Sequence, residues 1–378
     1  MKQLLAASVL TAISVSPALA QSSVTLYGIV DLGVDYASNV GNAPDGVLIP
    51  GSGSKLVQMQ SGVAQTSQWG IRGTEDLGSG LSAIFKLENG FNATNGALTG
   101  GLAFSRNAYV GIRSEHYGQL TFGKQWDASV DLIEPFTLNG NYGGWYFAHP
   151  NDMDNLDNGF PVNNAIKYTS PVMGGFQFEG HYSLGGEAGQ FSNNASYSAA
   201  AVYTGAAFSA GVGYLRVNNP VTAVAGYASG PGFANAIYGD ALANARYQGV
   251  LSAGASYTIG SFRVMADYSN VDFSSGNGSH DLHFQNYEIS GVYFVTPEVT
   301  LGAGYTFTNG LDHATDSSPK YHQGNLIVQY AMSKRTSVYA MAAYQHAAGA
   351  AQNAQIAGFN PSTSLNQFVS RVGVTHTF

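Results

Sequence analysis

From Ser22 onward, hydrophobic positions recur at every second residue and not at the helical spacing of 3.6. Val24, Leu26, Gly28, Val30, Leu32, Val34 and Tyr36 share one face of an extended segment, and Thr25, Tyr27, Asp31, Gly33 and Asp35 share the other. Leu251, Ala253, Ala255, Tyr257 and Ile259 alternate in the same way with Ser252, Gly254, Ser256 and Thr258. So do Val299, Leu301, Ala303, Tyr305 and Phe307 with Thr300, Gly302, Gly304 and Thr306. The pattern predicts about 16 strands, from 22–37 through 67–77, 119–130, 163–171 and 248–259 to the last at 367–378. Their connections alternate between short turns, such as Tyr117-Gly118 and Gly260-Ser261, and long polar segments, such as 38–66, 131–162 and 217–247.

An even number of antiparallel strands with short turns on one side and long loops on the other describes a closed transmembrane barrel. The expected fold is all-β, a 16-stranded antiparallel transmembrane β-barrel with short periplasmic turns and long outer loops. Composition strengthens this reading. Charged residues are 10% of the chain, far below the roughly 25% of soluble domains. The polar faces carry Gly, Ser and Thr in place of Lys and Glu, as suits a lumen wall and not the solvated face of a sandwich. Aromatics near strand ends, including Tyr36, Tyr257, Tyr305, Phe307, Tyr330 and Tyr344, are placed to form interfacial girdles.

Residues 1–20 have a basic start at Lys2, an apolar core from Leu4 to Val15 and a small-residue cleavage site at Ala18-Leu19-Ala20. They are expected to be a cleaved signal peptide, leaving 21–378 as one barrel domain in the cell outer membrane. No later stretch of 18 apolar residues exists, which excludes a transmembrane helix but not membrane strands. The chain has no Cys, so an exported protein of this kind holds together without disulfides. Its nine His have no metal-binding spacing, its basic residues are few and dispersed, and no phosphate loop or catalytic motif is present. No enzyme activity, cofactor, metal or nucleic acid is expected.

One stretch breaks the monotony. Asp127 to Asn164 carries Asp127, Asp131, Glu134, Asp152, Asp154 and Asp157 with no Lys or Arg, and clusters Trp145, Tyr146, Phe147 and His149. A loop of this length in a compact chain is functional or disordered, and its aromatics argue against disorder. Parity assigns Arg72, Lys86, Glu88 and Lys167 to the polar face, where they avoid a lipid-facing cost of about 2–4 kcal/mol. Arg106 and Lys124 have the parity of their apolar neighbours, which places them at strand ends or past a bulge. Arg263 stands beside Asp267 on one face as a wall pair. The loop aromatics read as anchors to the wall, with a sugar-stacking path as the alternative.

Four passages resemble the trimeric general porins of Gram-negative outer membranes, of the β-proteobacterial kind. They are Ser22–Gly28, the hairpin Gln68-Trp69-Gly70-Ile71-Arg72-Gly73-Thr74-Glu75-Asp76-Leu77-Gly78-Ser79-Gly80-Leu81, the strand Asn163–Pro171, and the ending Val372–Phe378. The resemblance implies passive diffusion of ions and small hydrophilic solutes through a water-filled pore, a homotrimer in outer-membrane lipid, and a terminal Phe378 read by the barrel-insertion machinery. It makes 131–162 the third loop, folded inward as the constriction. It also implies that acidic loop residues face the wall set Arg72, Lys86, Glu88, Lys167, Arg106 and Lys124 across the pore. Asp127, Asp131 and Glu134, which begin the loop, are the better candidates, and Asp152, Asp154 and Asp157 are equally open to binding their own loop's backbone or the wall. The family commonly has Arg where Gln68 stands and another near Pro161 or Val162. Their absence here predicts weak selectivity or a mild cation preference, with a substrate-specific channel of the same fold as the alternative.

Overall fold

The computed structural model describes residues 23–224, 235–238, 245–276 and 281–378. The signal expected at 1–20 lies outside the described residues. Hydrogen-bonded strands run in chain order around one closed sheet. They are β1 (Ser23–Val40), β2 (Ser54–Ser61), β3 (Gln68–Gly78), β4 (Leu81–Gly90), β5 (Asn107–Ser114) and β6 (Gly118–Gln125). After the long loop come β7 (Val162–Thr169), β8 (Phe176–Ser183), β9 (Ser196–Thr204), β10 (Phe208–Asn218), β11 (Tyr247–Ile259) and β12 (Phe262–Ser274). The wall finishes with β13 (Leu282–Phe294), β14 (Val299–Asp312), β15 (Pro319–Ala331), β16 (Thr336–Gly349) and β17 (Asn366–Thr377).

Every neighbouring pair is antiparallel, and β17 returns to β1 with Ile29–Ala37 facing Val369–Thr377. Closure of β17 on β1 pairs the backbone groups of the wall that hydrocarbon cannot satisfy, while β2 pairs with β1 alone. The strands occupy 16 wall positions, because β2 and β3 share one. Ser23–Ile29 of β1 pairs with β3, and Leu32–Val40 of the same strand pairs with β2. Ser54–Ser61 is thus wall, although it falls in the segment 38–66 expected to be a loop. Between β2 and β3, residues 62–66 leave the ladder and turn into the lumen.

Strand limits differ from expectation in two further ways. β6 stops at Gln125 where 119–130 was expected, so the third loop runs from 126 to 161 and not 131–162. Strands β11 to β16 reach 13 or 14 residues, longer than the hydrocarbon requires, and carry the wall beyond it toward the long loops.

Face parity follows the alternation. Val24, Leu26 and Val34 of β1, Leu326 and Val328 of β15, and Val372, Val374 and Phe378 at the end of the chain are exposed on the outside. Their inward neighbours Asp31, Asp35 and Arg371 are buried. The turns close tightly: a Cβ on Gly118 (φ 84°) would stand 2.2 Å from the Thr169 carbonyl oxygen, so the β5–β6 turn requires glycine.

The seam between the first and last strands carries a buried cluster. The Arg371 guanidinium donates to Asp35 Oδ1 (2.7 Å), Asp31 Oδ1 (2.9 Å), the Gln60 carbonyl (3.0 Å) and, through Nε, the Tyr339 hydroxyl (2.7 Å). Tyr339 donates in turn to Asp31 Oδ2 (2.7 Å). Asp31 also holds the inward turn, accepting from Val63 N on its carboxylate and from Gly62 N on its carbonyl.

Candidate pore constriction

The third loop starts with a short helix, α1 (Ala128–Leu132), and continues through single turns across the lumen. Asp127 caps α1, accepting from Ser129 N (2.8 Å) and Val130 N (3.4 Å), and its other oxygen accepts from Asn155 Nδ2 (2.8 Å). Capping satisfies amides that have no partner within the helix. Burial pushes the Asp127 carboxyl up to about 6 against those hydrogen bonds. It is wholly buried and presents no charge to the pore.

The segment from Asn151 to Asn158 owes its Asn and Asp content to backbone geometry. Asn151, Asp152, Asn155 and Asn158 all have left-handed φ near +50 to +60°, a region that Asn and Asp tolerate better than other residues with a Cβ. Asp152 accepts from Asp157 N (2.8 Å) and Gly159 N (3.0 Å). Asp157 accepts from Asn139 Nδ2 (3.1 Å). Asp154 accepts from Leu156 N (3.3 Å) and Ser269 Oγ, and lies 2.5 Å from His149 Nδ1. All three are buried. Burial raises the carboxyls of Asp152, to well above the usual range, and of Asp157, to about 7; His149 and these hydrogen bonds overcome burial at Asp154 and lower it. They bind their own loop and the wall.

Asp131 and Glu134 are the more open loop acids. Asp131 is one-third exposed and pairs with Lys167, whose ammonium also meets Glu179 (2.9 Å) and the Trp126 carbonyl (3.1 Å). Lys167 is thereby consumed at the base of the loop. Glu134 accepts from Asn158 Nδ2 (2.7 Å), and burial followed by repulsion from Asp157 holds its carboxyl well above the usual range.

The wall opposite is basic. Glu88, buried, accepts from Tyr27 Oη (2.7 Å), Lys86 Nζ (2.9 Å), Asn107 Nδ2 (2.9 Å) and Arg106 Nε (3.3 Å). Arg106 faces inward because it precedes the first residue of β5, where strand parity does not yet apply. It also donates to Asn158 of the loop (3.1 Å) and lies 4.8 Å over the Trp126 ring. Arg72 is exposed in the lumen, 5.3 Å over the Tyr27 ring, with no carboxylate in ion-pair range among the described residues. Lys124 keeps outward parity with Leu120 and Phe122, donates to Asn163 Oδ1 (3.1 Å) at the strand end, and does not face the loop acids. Arg263 does not pair with Asp267. It reaches the Pro135 carbonyl (3.3 Å) and Asn141 Oδ1 (3.4 Å), while Asp267 faces His149.

The loop is fastened to distant walls. Leu138 N donates to Glu288 of β13 (2.7 Å), Gln248 of β11 donates to the Met153 carbonyl (2.8 Å), and Gln323 of β15 donates to the Tyr146 carbonyl (3.0 Å). Trp145 N donates to the Val63 carbonyl of the inward turn (3.0 Å). Tyr146 and Phe147 are buried, with Tyr146 5.1 Å from Phe359 and its hydroxyl on Gln60 (2.6 Å), so both anchor. Trp145 stays partly open. It lines, with Arg106, Glu134, Asp157 and Asn158, a cavity of about 600 Å³ between the loop and the β1–β5 wall. A second, of about 240 Å³, lies beyond the inward turn among Gln65, Tyr142, Lys334 and Arg335.

A closed 16-position barrel with an internal loop does not by itself fix kinship. The family model described as Gram-negative porin matches residues 6–350. The chain belongs to the Gram-negative porins. An outer membrane porin protein of Bordetella pertussis is 38% identical over 194 residues, a match spanning about half of each chain, 49% of this one and 48% of that. Outer membrane porin protein 32 of Delftia acidovorans is 29% identical over 350 residues, covering 91% of this chain and 89% of that. The solved anion-selective porin from Comamonas acidovorans superposes with TM-score 0.74 at 25% identity, covering 95% of this chain and all of that one. This porin is therefore an outer-membrane channel protein and not an enzyme.

Three features of the porin's site escaped the sequence reading. Arg371 with Asp31 and Asp35 becomes visible only once the closing register, Asp35 opposite Arg371, is known. The inward turn at 62–66 and the pairing of His149 with Asp154 and Asp267 have no periodic signature.

Proposed function

We propose that the porin is a general diffusion channel of weak charge selectivity for ions and small hydrophilic solutes, working as a homotrimer. The observation that carries this reading is the fate of the loop acids. Four of the six are buried in the loop's own hydrogen bonds, and Asp131 is paired with Lys167. The side of the constriction expected to attract cations is thus largely neutralised, which supports the weak-selectivity expectation over the cation-preferring one. A narrow water-filled gap selects by the charges it exposes, and buried paired charges contribute little. Tyr146 and Phe147, the loop rings that could have lined a stacking path, are packed against the wall, which supports general diffusion over a substrate-specific channel.

A second reading, mild anion preference, is favoured by the basic wall. Arg72, Lys86 and Arg106 face the lumen around a single buried Glu88, and the Comamonas porin of similar structure is described as anion-selective. Reversal potential in a KCl gradient across planar bilayers separates the readings. A value near zero, with ohmic conductance and no saturable block by sugars or organic acids, supports general diffusion of weak selectivity. A strongly chloride-selective value that collapses in Arg72→Gln and Arg106→Gln supports the second reading. Saturable block by one solute class overturns both in favour of a specific channel. Neutralising Asp127, Asp131 and Glu134 together is expected to move the potential little, because Asp127 is buried, Asp131 is paired with Lys167, and the Glu134 carboxyl, bonded to Asn158, is held well above the usual range.

A further inference from the structure

Where the third loop meets the far wall, three groups converge. His149 Nε2 lies 3.3 Å from Asp267 Oδ2 on β12 and 4.0 Å from Glu288 Oε2 on β13. All three side chains are buried, and their ligand atoms lie within 4.8 Å of one another. Among the described residues, neither carboxylate oxygen of Asp267 accepts a hydrogen bond, and His149 Nε2 makes none. Unmade hydrogen bonds at fully buried charged atoms are costly and call for a partner. No Lys or Arg of the described residues comes within ion-pair distance of Asp267 or Glu288.

The surrounding groups are arranged as they are around metal ligands. The other ring nitrogen of His149, Nδ1, is 2.5 Å from Asp154 Oδ2, which orients the ring and leaves Nε2 pointing at the two wall carboxylates. A histidine that binds a metal commonly donates its second N–H to a carboxylate in this way. Glu288 is held by Leu138 N (2.7 Å) and Thr306 Oγ1 (3.2 Å), and Asp154 by Ser269 Oγ. Tetrahedral zinc with bonds of about 2.0–2.1 Å sets its ligands roughly 3.3–3.4 Å apart. The His149–Asp267 separation of 3.3 Å matches this, and the His149–Glu288 separation of 4.0 Å is wider by roughly 0.6 Å, a gap that metal binding would have to close. With all three carboxyls ionised, they and one imidazole would carry a net negative charge that a single proton on His149 does not balance. A divalent cation in the proton's place balances it better.

We propose that His149, Asp267 and Glu288 bind one divalent transition-metal ion of the zinc class, oriented through Asp154, which clasps the third loop to the β12–β13 wall. One imidazole and two carboxylates suit zinc in preference to magnesium or calcium, which take oxygen ligands. Water completes the fourth position.

The test refolds the full chain into detergent with and without Zn²⁺, so that burial does not bar entry. After desalting, metal content is measured by atomic emission, and barrel formation by the shifted electrophoretic mobility of unheated protein. The expected result is one Zn²⁺ per chain. Asp267→Asn and His149→Gln should lose at least 10-fold in affinity, and Asp154→Asn about 10- to 100-fold through the orientation of His149. Asp272→Asn, at the exposed pair with His283, should leave affinity unchanged. Refolding the unaltered chain with Co²⁺ gives a reading that depends on no variant: visible bands of a tetrahedral site with a histidine ligand are expected. No retained Zn²⁺, Zn²⁺ retained equally by the folded Asp267→Asn and His149→Gln proteins, or Co²⁺ spectra without imidazole coordination would each overturn the proposal. Channel selectivity enters none of these readings, so they stand apart from the proposed function.

Discussion

Asp157 shows how far a residue's formal charge departs from its effect. It borders the larger lumen cavity, yet burial lifts its carboxyl to about 7, near neutral pH. Its folded-state affinity for a proton exceeds that of the unfolded chain. The stability it contributes is therefore fully present below about pH 4 and is lost as pH rises through about 7. In the channel, the same titration adds a negative charge on the loop side. Between about pH 5.5 and 8.5 the KCl reversal potential should move toward potassium, and Asp157→Asn should flatten that shift. At the seam, Arg371 is buried against Asp31 and Asp35, so Arg371→Met strands two carboxylates out of water. Breaking a buried ion pair from one side costs about 3–5 kcal/mol, which urea titration of the folded barrel would read as an earlier midpoint. An unchanged midpoint would mean that the cluster adds nothing to closure.

At the scale of elements, the third loop is held by its own turns and by scattered points on the wall. Gly144 illustrates the tolerance involved. Its φ of 49° and ψ of −141° suit glycine alone, and a Cβ there would stand 2.0 Å from the Val63 carbonyl. Gly144→Ala should cost about 1–3 kcal/mol of local strain and loosen the junction between the loop and the inward turn. Chymotrypsin would then cut at Tyr146 or Phe147, which the native packing shields. Resistance equal to that of the unaltered protein would show that the junction yields without releasing the loop. The strands themselves were legible from alternation, since period two fixes which side chain faces which side. β2 was not, because residues 62–66 leave the ladder and break the period just where a reader restarts the count. The loop acids were legible as a cluster but not in their role. Left-handed turns at Asn151, Asp152, Asn155 and Asn158 demand Asx residues locally, and composition cannot distinguish a carboxylate that bonds its own backbone from one that faces water.

For the whole molecule, alternation and turn spacing sufficed for barrel, strand number and membrane. The placement of each cation did not follow from parity alone. Arg106 turns inward because the strand begins one residue later, and Lys124 remains outside because its strand obeys parity to the end. Lys167, on the expected face, is lost to Asp131 and Glu179. The electrostatics of the pore are therefore a property of pairing across the closed wall, which no single segment carries.

Asp31 belongs at once to the clasp that closes the cylinder and to the turn on which the third loop rests. Its carboxylate receives both Arg371, from the last strand, and the amide of Val63, whose carbonyl receives Trp145. The clasp and the loop's rest therefore share one carboxylate. Loss of Arg371 is expected to loosen the support of the loop as well as the closure of the wall.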